Sequence, residues 1–313
     1  MKLLRGIKQI AKLETNTVAT IGNFDGVHLG HQALLKKLKT QAKAMKLPMV
    51  VLLFEPQPGE FFKKENAPAR IYSFREKIKA LKLCGVDYVC CLRFDNYLAS
   101  MTALQFANEI VFSLLKAKYL LIGQDFRFGQ GRLGDAKMLY ELGQKLSSKV
   151  AVFPDYFIDE QRVSSTSIRS LLNIGKLEDA SRLLGRPYSI SGRVVHGDGR
   201  GAKWGIKTAN LNINRKILPL KGVYCVHVQI LGKNDFLGVA NIGCRPTIDG
   251  SKYVLEIHLL DVDILLYGKI LQVKFMHKLR DEIKFGSVDL LIAQIKSDII
   301  NAKNWFDKST SRI

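Results

Sequence analysis

Two histidines, His28 and His31, stand three residues apart beside the glycines Gly22, Gly26 and Gly30. Glycine lets the backbone approach a phosphate closely, and the start of a helix supplies unpaired N–H groups and a positive dipole end. Side chains three apart on a helix share a face, so both rings are predicted to point at one phosphate. The alternative is a histidine pair hydrogen-bonded locally at a helix start. A metal site is less favoured, because no third ligand stands at a suitable spacing.

A second stretch suited to phosphate chemistry occupies residues 190–201, which are rich in glycine and basic side chains. A basic, glycine-rich loop between two strands can fold over phosphates. Thr208 and Asn210 follow it and present two neutral oxygens on one strand face, which suits Mg²⁺ bridging an ATP. The Walker spacing GxxxxGK[ST] does not occur. Without further information, the pattern fits an ordinary glycine-rich hairpin equally well.

The elements that must position the two histidines alternate between short apolar runs and helical stretches up to about residue 153. This alternation predicts a doubly wound, Rossmann-like α/β domain with a parallel sheet between two helical layers. The predicted strands are Thr17–Ile21, Met49–Phe54, Tyr88–Leu92, Tyr119–Ile122 and Val150–Phe153. Ser73 with Glu76 and Thr102 with Gln105 have capping-box spacing, and Gly85 is placed to end a helix.

Two short helices, predicted at Thr166–Leu172 and Leu177–Leu184, precede a break in periodicity at 185–187. Beyond it, strands follow one another without intervening helices, which predicts a small antiparallel β-barrel. These strands are predicted at Ser189–Val195, Gly222–Ile230, Phe236–Ile242, Tyr253–Leu260 and Lys269–Lys278. A last helix is predicted from about Val288 to Trp305, with Ser287 as its N-cap. We therefore predict two domains, 1–184 and 185–313.

The stretch 22–31, Gly-Asn-Phe-Asp-Gly-Val-His-Leu-Gly-His, resembles the signature of the nucleotidyltransferase superfamily, in the variant of the bacterial bifunctional riboflavin kinase/FAD synthetases. Residues 54–58, 122–129 and 164–169 are similar to later motifs of the same half of that family. Segments similar to the riboflavin kinase domain of that family occur within residues 190–201, 208–211, 238–247, 255–261 and 266–285. The matches occur in sequence order and cover nearly the whole chain, which makes them more specific than any one motif.

For the first domain, the resemblance implies transfer of the adenylyl group of ATP to FMN, which gives FAD and pyrophosphate. It implies that His28 and His31 bind phosphates and that Arg169 holds the leaving pyrophosphate. The ATP-binding residues that it implies are Gly22, Asn23, Phe24, Asp25, Gly30, Ser165 and Thr166. Ser165 and Thr166 would cap a helix beside the phosphates. By themselves, residues 164–169 also fit an ordinary N-cap with a solvent-facing arginine.

The resemblance further implies a flavin site at Asp125, Phe126 and Phe128. Spacing cannot show this, because Asp125 equally fits a turn. For Phe126 and Phe128, packing in the core is the commoner role of aromatic side chains.

For the second domain, the resemblance implies phosphorylation of riboflavin to FMN with MgATP, with Glu256 as general base. The implied ATP-binding residues are Gly192, Gly197, Gly201, Thr208 and Asn210, of which Thr208 and Asn210 would also bind the metal. Arg280 and Phe285 are implied to border the flavin ring. The alternation of apolar and polar residues along the strand fits equally well an outward-facing glutamate at 256 without a catalytic role. Without the resemblance, Arg280 would be interpreted as a surface cation and Phe285 as a core aromatic.

Four positions depart from the family's pattern. Ala202, Trp204 and Lys207 stand where the family usually has arginine, leucine and proline, and Gln57 replaces a residue that is often histidine. Because the Thr208/Asn210 pair is retained, we expect the chemistry to persist. The ammonium group of Lys207 could contact a phosphate of ATP and so offset the lost rigidity of proline.

The composition limits the class of protein. Hydrophobic residues make up 47% and charged residues 24%, as in an ordinary folded chain. No run of 18 apolar residues occurs, and residues 1–16 lack the apolar core of a signal peptide, so we expect a cytoplasmic protein. The five cysteines show no CxxC spacing, which favours reduced thiols in the core.

The formal net charge of +20 is high, but the lysines are spread along the chain, which favours a basic solvated surface. We expect riboflavin, FMN, FAD and ATP as partners, and neither nucleic acid nor a membrane. One rival hypothesis is another nucleotidyltransferase fused to an unrelated barrel. The other is a nucleic-acid-binding module, which charge alone supports. The sequence makes no prediction about the oligomeric state.

Overall fold

The computed structural model describes residues 1–197, 206–213, 215, 217–230, 235–247 and 250–310, with side chains throughout except at 244–247, 250–252 and 310. Backbone contacts divide the chain into two compact units. The first unit contains Met1–Pro68 and Phe74–Ser164, and the second contains Ala69–Ser73 and Ser165–Ile313.

The first unit is built on a six-stranded parallel sheet with the strand order β1-β4-β3-β2-β5-β6. Its strands are β1 (Lys2–Arg5), β2 (Thr17–Ile21), β3 (Met49–Glu55), β4 (Tyr88–Arg93), β5 (Ala117–Gly123) and β6 (Lys149–Phe153). All five predicted strands of this half are confirmed to within two residues at each end. Strand β1 is an addition, and its four residues are too few and too exposed to give a periodic signal.

Helices cover both faces of this sheet. They are α1 (Gly6–Ile10), α2 (Leu29–Met45), α3 (Pro58–Lys63), α4 (Phe74–Leu83), α5 (Asn96–Ser100), α6 (Ala103–Gln105, continued as a π-helix over Phe106–Leu114) and α7 (Ala136–Lys145). Val51 and Leu53 of β3 pack into one core with α2 and α4. Val50 and Leu52 pack into the opposite core with the π-helix and α7. Burial on both faces explains why β3 is a continuous apolar run, and it confirms the three-layer fold.

Local signals fixed several helix ends. The Thr102/Gln105 capping box is confirmed, since Gln105 N–H donates to Thr102 Oγ1 (3.2 Å) and Thr102 N–H donates to Gln105 Oε1 (2.9 Å). Gly85 follows α4 with a φ of 80°, as a C-terminal glycine requires. The Ser73/Glu76 capping box stays a prediction.

The second unit is a closed barrel with the strand order β10-β13-β12-β11-β14-β9, in which all neighbouring strands are antiparallel. The barrel strands are β9 (Ser189–Val195), β10 (Ala209–Asn212), β11 (Gly222–Ile230), β12 (Asp235–Thr247), β13 (Gly250–Leu259) and β14 (Ile270–Arg280). Strands β7 (Phe157–Ile158) and β8 (Gln161–Arg162) form a short hairpin at the end of the first unit. The barrel prediction is confirmed. The short strand β10 completes the closure, because it joins β9 to β13.

Among the described residues, the second unit has three helices: α8 (Ser165–Asn173), α9 (Leu177–Leu184) and α10 (Val288–Thr310). Ser287 caps α10 as predicted, since its Oγ accepts a hydrogen bond from Leu290 N–H (3.3 Å). Helix α10 continues five residues beyond its predicted end. None of the helices in the described part of the chain has the length and apolarity needed to cross a membrane.

Helices α8 and α9 group with the barrel by their backbone contacts, and α9 packs against β14. The division between compact units therefore falls after Ser164, before both helices. The predicted boundary between residues 184 and 185 divides the chain by activity and not by contacts, and it stays a prediction.

The cysteines with described side chains, Cys84, Cys90, Cys91 and Cys225, form no disulfide among the described residues, and the last three are buried. Burial raises the pKa of both the Cys90 and the Cys225 thiols to about 12. Thiols with so high a pKa are unreactive near neutral pH, which agrees with cysteines that serve as core residues.

Gly129 should be among the least replaceable residues of the first unit. Its φ of 72° and ψ of 176° lie in a region open essentially to glycine alone, and an added Cβ would lie 2.6 Å from the backbone of Ala103. We expect Gly129→Ala to lower the free energy of unfolding by about 3 kcal/mol or more, measured by denaturant titration. Gly131→Ala is the matched control. Gly131 also has positive φ, but a Cβ there meets only the Leu133 side chain, whose Cγ is nearest at 3.6 Å, so the expected loss is about 1 kcal/mol. Equal losses in the two variants would contradict this account.

Candidate active sites

The first candidate site lies at the carboxyl end of β2, a fully buried strand between β3 and β5. The strand order reverses here, and the crevice at such a reversal is where α/β sheets bind ligands. The loop from β2 to α2 turns tightly through positive φ at Phe24 (47°), Gly26 (79°) and Val27 (40°). The loop after β5 reaches the same edge, because β5 is the parallel neighbour of β2.

The two histidines lie together at the start of α2, as predicted. Their rings stack with centroids 3.6 Å apart, and the His31 ring also lies 4.8 Å from that of Phe24. His28 is the N-cap, and its Nδ1 accepts a hydrogen bond from His31 N–H at 3.3 Å. A neutral ring that accepts at Nδ1 carries its proton on Nε2, which makes Nε2 a donor. The local hydrogen bond and a phosphate-binding role are therefore compatible.

The other residues predicted to bind ATP in this loop differ in exposure. Asp25 is only 3% exposed, and Asn23 is exposed. Gly30 lies against the His28 ring, where an added Cβ would be 3.3 Å from Cε1 and Nδ1. An added Cβ at Gly22 would lie 3.2 Å from the Phe24 ring. Both glycines thus keep space beside the aromatic rings of the loop.

The two aromatic residues predicted to bind flavin occupy different environments. Phe126 and Phe128 stack with centroids 5.6 Å apart. Phe128 is only 5% exposed and packs in the core against Phe106 (5.4 Å between centroids), whereas Phe126 is half-buried. Phe128 is thus mainly a core residue that supports Phe126. Of the two rings, Phe126 has more surface to offer a ligand.

Asp125 forms an ion pair that the sequence did not reveal. The Arg162 guanidinium bridges the carboxylates of Asp125 and Asp155 (2.7 Å to Asp155 Oδ1), and the hydrogen bond to Asp125 raises the pKa of Arg162. No spacing signal links residues so far apart in the chain. Arg162 ties the loop after β5 to the segment after β6. Contact of Asp125 with flavin or magnesium stays a prediction.

The predicted second phosphate motif lies on α8, in the second unit. Helix α8 begins at Ser165, so Ser165 and Thr166 lie inside its first turn and not at the cap position that we predicted. Thr166 is exposed, and Ser165 and Arg169 are half-buried. The helix start supplies backbone N–H groups, which is the chemistry that a phosphate requires.

The second candidate site lies on the outer face of the barrel. Glu256 of β13 is the direct register partner of Asn210 on β10 and of Asn241 on β12. Directly opposed residues of antiparallel strands share a face, with Cβ atoms about 5 Å apart. Leu255 and Ile257, on either side of Glu256, are fully buried in the barrel. A carboxylate between two amides therefore faces outward, half-buried, as alternation predicted.

The predicted phosphate loop of the barrel is described in part. We call the outward-facing set Asn210, Glu256 and Asn241 the polar row. An added Cβ at Gly197 would collide with the side chain of Asn210, so this loop lies directly against the polar row. Gly192 lies within β9, where an added Cβ would be 2.8 Å from the Asn212 carbonyl oxygen. Close strand packing is thus enough to explain a glycine at 192. Gly201, Ala202 and Trp204 lie outside the described residues.

Lys207 and Thr208 directly precede β10. Thr208 is half-buried like Asn210, but it lies just before the strand and not within it as predicted. The exposed Lys207 ammonium pairs with Asp263 (2.6 Å). The Lys207 carbonyl oxygen lies 2.8 Å from His258 Nδ1. An ATP phosphate would have to compete with Asp263 for this ammonium group.

Arg280 and Phe285, both predicted to border the flavin, lie close together. The Arg280 guanidinium carbon lies 5.9 Å from the Phe285 ring centroid. Arg280 is not a simple surface cation, because its Nε (2.9 Å) and one terminal nitrogen (2.7 Å) donate to the carboxylate of Asp298 on α10. No sequence pattern pointed to Asp298, which lies 18 residues further along the chain.

The fold thus defines a class of protein in which a doubly wound α/β unit is joined to a closed antiparallel barrel that carries a carboxylate between two amides. The family model of FAD synthetase matches residues 10–167, and that of riboflavin kinase matches residues 184–306. The chain is 46% identical over 307 residues to the bifunctional riboflavin kinase/FMN adenylyltransferase of Escherichia coli (strain K12), covering 98% of each chain. It is 44% identical to that of Haemophilus influenzae, covering 98% of this chain and 100% of the other.

Among solved structures, the fold is similar to a macrolide-efflux protein from Streptococcus pneumoniae, with a TM-score of 0.82 and 30% identity. The likeness covers 97% of this chain and 100% of that one. It is a likeness of fold, and the sequence matches over both halves carry the assignment of family. The chain belongs to the family of bifunctional riboflavin kinase/FMN adenylyltransferases.

Proposed function

We infer that this chain phosphorylates riboflavin to FMN with ATP and then adenylylates FMN to FAD with release of pyrophosphate. The observation that carries this conclusion is that each half of the chain matches a different one of the two enzyme families and folds into its own compact unit. The rival fusion of a nucleotidyltransferase with an unrelated barrel loses its basis, because the barrel half matches riboflavin kinase.

In the kinase half, the 5′-hydroxyl of riboflavin attacks the γ-phosphorus of ATP, and ADP leaves. We assign Glu256 as the general base that accepts the hydroxyl proton, since it is the carboxylate of the polar row. The strand neighbours of Glu256 fix its direction, because Leu255 and Ile257 are anchored in the barrel core. Gly197 lies against Asn210 at one end of the row, which supports binding of ATP there. We assign Gly192 and Gly201 to the same phosphate loop by family resemblance.

The donor set beside Glu256 fits a magnesium ion. Thr208 and Asn210 offer neutral oxygens from half-buried positions two residues apart, and hard oxygen ligands are what Mg²⁺ prefers. When bound, the ion would neutralise charge on the ATP phosphates. We propose these two residues as its protein ligands.

In the adenylyltransferase half, a phosphate oxygen of FMN attacks the α-phosphorus of ATP, and the bond to the β-phosphate oxygen breaks. We assign the phosphate contacts to His28 and His31, because their stacked rings lie at the start of helix α2, where the positive end of the helix dipole favours an anion. Asn23, Asp25, Gly22 and Gly30 would shape the ATP site around them. By family resemblance, Arg169 holds the pyrophosphate, and Ser165 and Thr166 bind phosphate.

For the flavin of FMN we assign Phe126 as the stacking ring, supported by Phe128 beneath it. Asp125, held by Arg162, would face the same ligand. Riboflavin, FMN, FAD and ATP are thus the proposed partners, and we propose the cytoplasm as the location, where ATP is abundant. The net charge of +20 is spread along the chain and is not concentrated in a basic arm, so it gives no support to a nucleic-acid-binding role.

A time course of products tests this function. We expect purified protein incubated with riboflavin, ATP and Mg²⁺ to form FMN first and FAD afterwards, with one pyrophosphate released per FAD, as resolved by chromatography of the flavins. Omission of Mg²⁺ with a chelator present should stop the reaction if the metal is required. Formation of neither product above a control without enzyme would overturn the proposal.

A further inference from the structure

Helix α10 carries a buried carboxylate that the mechanism above does not use. Asp298 is only 3% exposed. Its two oxygens accept hydrogen bonds from Arg280 Nε (2.9 and 3.1 Å) and from an Arg280 terminal nitrogen (2.7 Å), and Gln294 Nε2 donates to Oδ1 (3.0 Å). A carboxylate this deeply buried requires such pairing, and the two-pronged geometry fixes the plane of the guanidinium.

The remaining edge of the guanidinium is also engaged. The second terminal nitrogen of Arg280 donates to the Asp281 carbonyl oxygen (3.0 Å). Because all three nitrogens are engaged at the edge of the guanidinium, a planar ligand can contact Arg280 through the flat face of the group. The Phe285 ring centroid lies 5.9 Å from the guanidinium carbon. A guanidinium plane stacks well on an aromatic ring, whereas an ammonium group does not.

We propose that Asp298 is a positioning residue of the kinase site, which holds Arg280 so that its flat face stacks on the flavin ring of riboflavin. The inference rests on the proposed contact of Arg280 with flavin. It makes the C-terminal helix a part of the flavin site, because the residue that orients Arg280 belongs to that helix.

A purely structural ion pair that fastens α10 to the barrel is the alternative. The helix, however, has other attachments. Ala302 and Phe306 are buried in a cluster with Val223 and Cys225 of the barrel, and Lys303 pairs with Asp261 (2.6 Å). Loss of the Asp298 carboxylate should therefore disturb Arg280 more than it disturbs the docking of α10.

The test compares steady-state kinetics of the full-length chain carrying Asp298→Asn, Asp298→Glu or Arg280→Lys, with FMN plus FAD counted as the product of the kinase step. For Asp298→Asn we expect the riboflavin KM to rise at least about tenfold, with the ATP KM and kcat within about threefold of the parent. Asp298→Glu retains the charge and should restore part of the affinity. Asp261→Asn breaks a second ion pair of the helix, that with Lys303, and is the matched control, with an unchanged riboflavin KM.

The double variant Arg280→Lys/Asp298→Asn separates the possible outcomes. If Asp298 acts through Arg280, the double variant has the riboflavin KM of Arg280→Lys alone. Additive effects, or an unchanged riboflavin KM in both Asp298 variants while Arg280→Lys is impaired, would overturn the inference and leave the flavin contact of Arg280 standing. An unchanged riboflavin KM in Arg280→Lys would instead overturn the proposed contact itself.

Discussion

Glu256→Gln should reduce phosphorylation of riboflavin by about two orders of magnitude or more, because the amide keeps the volume of the side chain but cannot accept the hydroxyl proton. Glu256 sits half-buried between Asn210 and Asn241, and a glutamine can be held by the same neighbours. Initial rates of FMN plus FAD formation at saturating riboflavin and MgATP measure the effect. The loss should appear in kcat, with the KM for riboflavin changed little.

The adenylylation of supplied FMN is the internal control for this variant. We expect Glu256→Gln to convert FMN to FAD at the rate of the parent, since the histidine loop lies in the other compact unit. A kinase kcat within about fivefold of the parent would show that Glu256 is not the base. An outward-facing glutamate without a catalytic role would then be the correct interpretation of this position.

His31→Ala should slow adenylylation of FMN by roughly 30- to 1,000-fold, which corresponds to about 2–4 kcal/mol of lost transition-state stabilisation. The alanine removes a donor from the phosphate site, while the backbone N–H of residue 31 still donates to the His28 cap. His31 is a better choice than His28 for this test, because replacing His28 would also remove the helix cap. Release of pyrophosphate from FMN and ATP measures the rate.

His31→Gln is the matched control, because it keeps an N–H donor but loses the ring that stacks on His28 and lies 4.8 Å from the Phe24 ring. If phosphate binding is the role of His31, the glutamine variant should retain more activity than the alanine variant. Equal losses would assign the effect to ring packing. Phosphorylation of riboflavin should be unchanged in both variants, so that FMN accumulates.

The sequence predicted those features that depend on neighbouring residues. The all-apolar run of β3, the Thr102/Gln105 capping box and Gly85 each carry their signal within a few residues, and all three were confirmed. The histidine pair was placed on one face by its spacing alone. Strand β1 was missed because an edge strand of four residues has no period to detect.

Contacts between distant residues could not be predicted from the sequence. Arg162 pairs with Asp125 across 37 residues, and Asp298 reaches Arg280 from a different element. The burial of Phe128 also has a tertiary cause, since Phe106 of the π-helix packs against its ring. Family resemblance supplied the roles of Glu256 and Arg169, which spacing alone left open.

The two reactions are expected to proceed at two separate sites of one chain, and mixing the two variants distinguishes separate sites from shared ones. Glu256→Gln and His31→Ala are each expected to make little or no FAD from riboflavin and ATP. When the two variants are mixed, FMN released by the histidine variant can diffuse to the intact adenylylation site of the other, so FAD synthesis should return. If the mixture makes no more FAD than the separate variants, while each variant retains its other activity, FMN is not exchanged between chains. If either substitution abolishes both reactions in a protein with an unchanged circular dichroism spectrum, the sites are shared, and the two-site account is wrong.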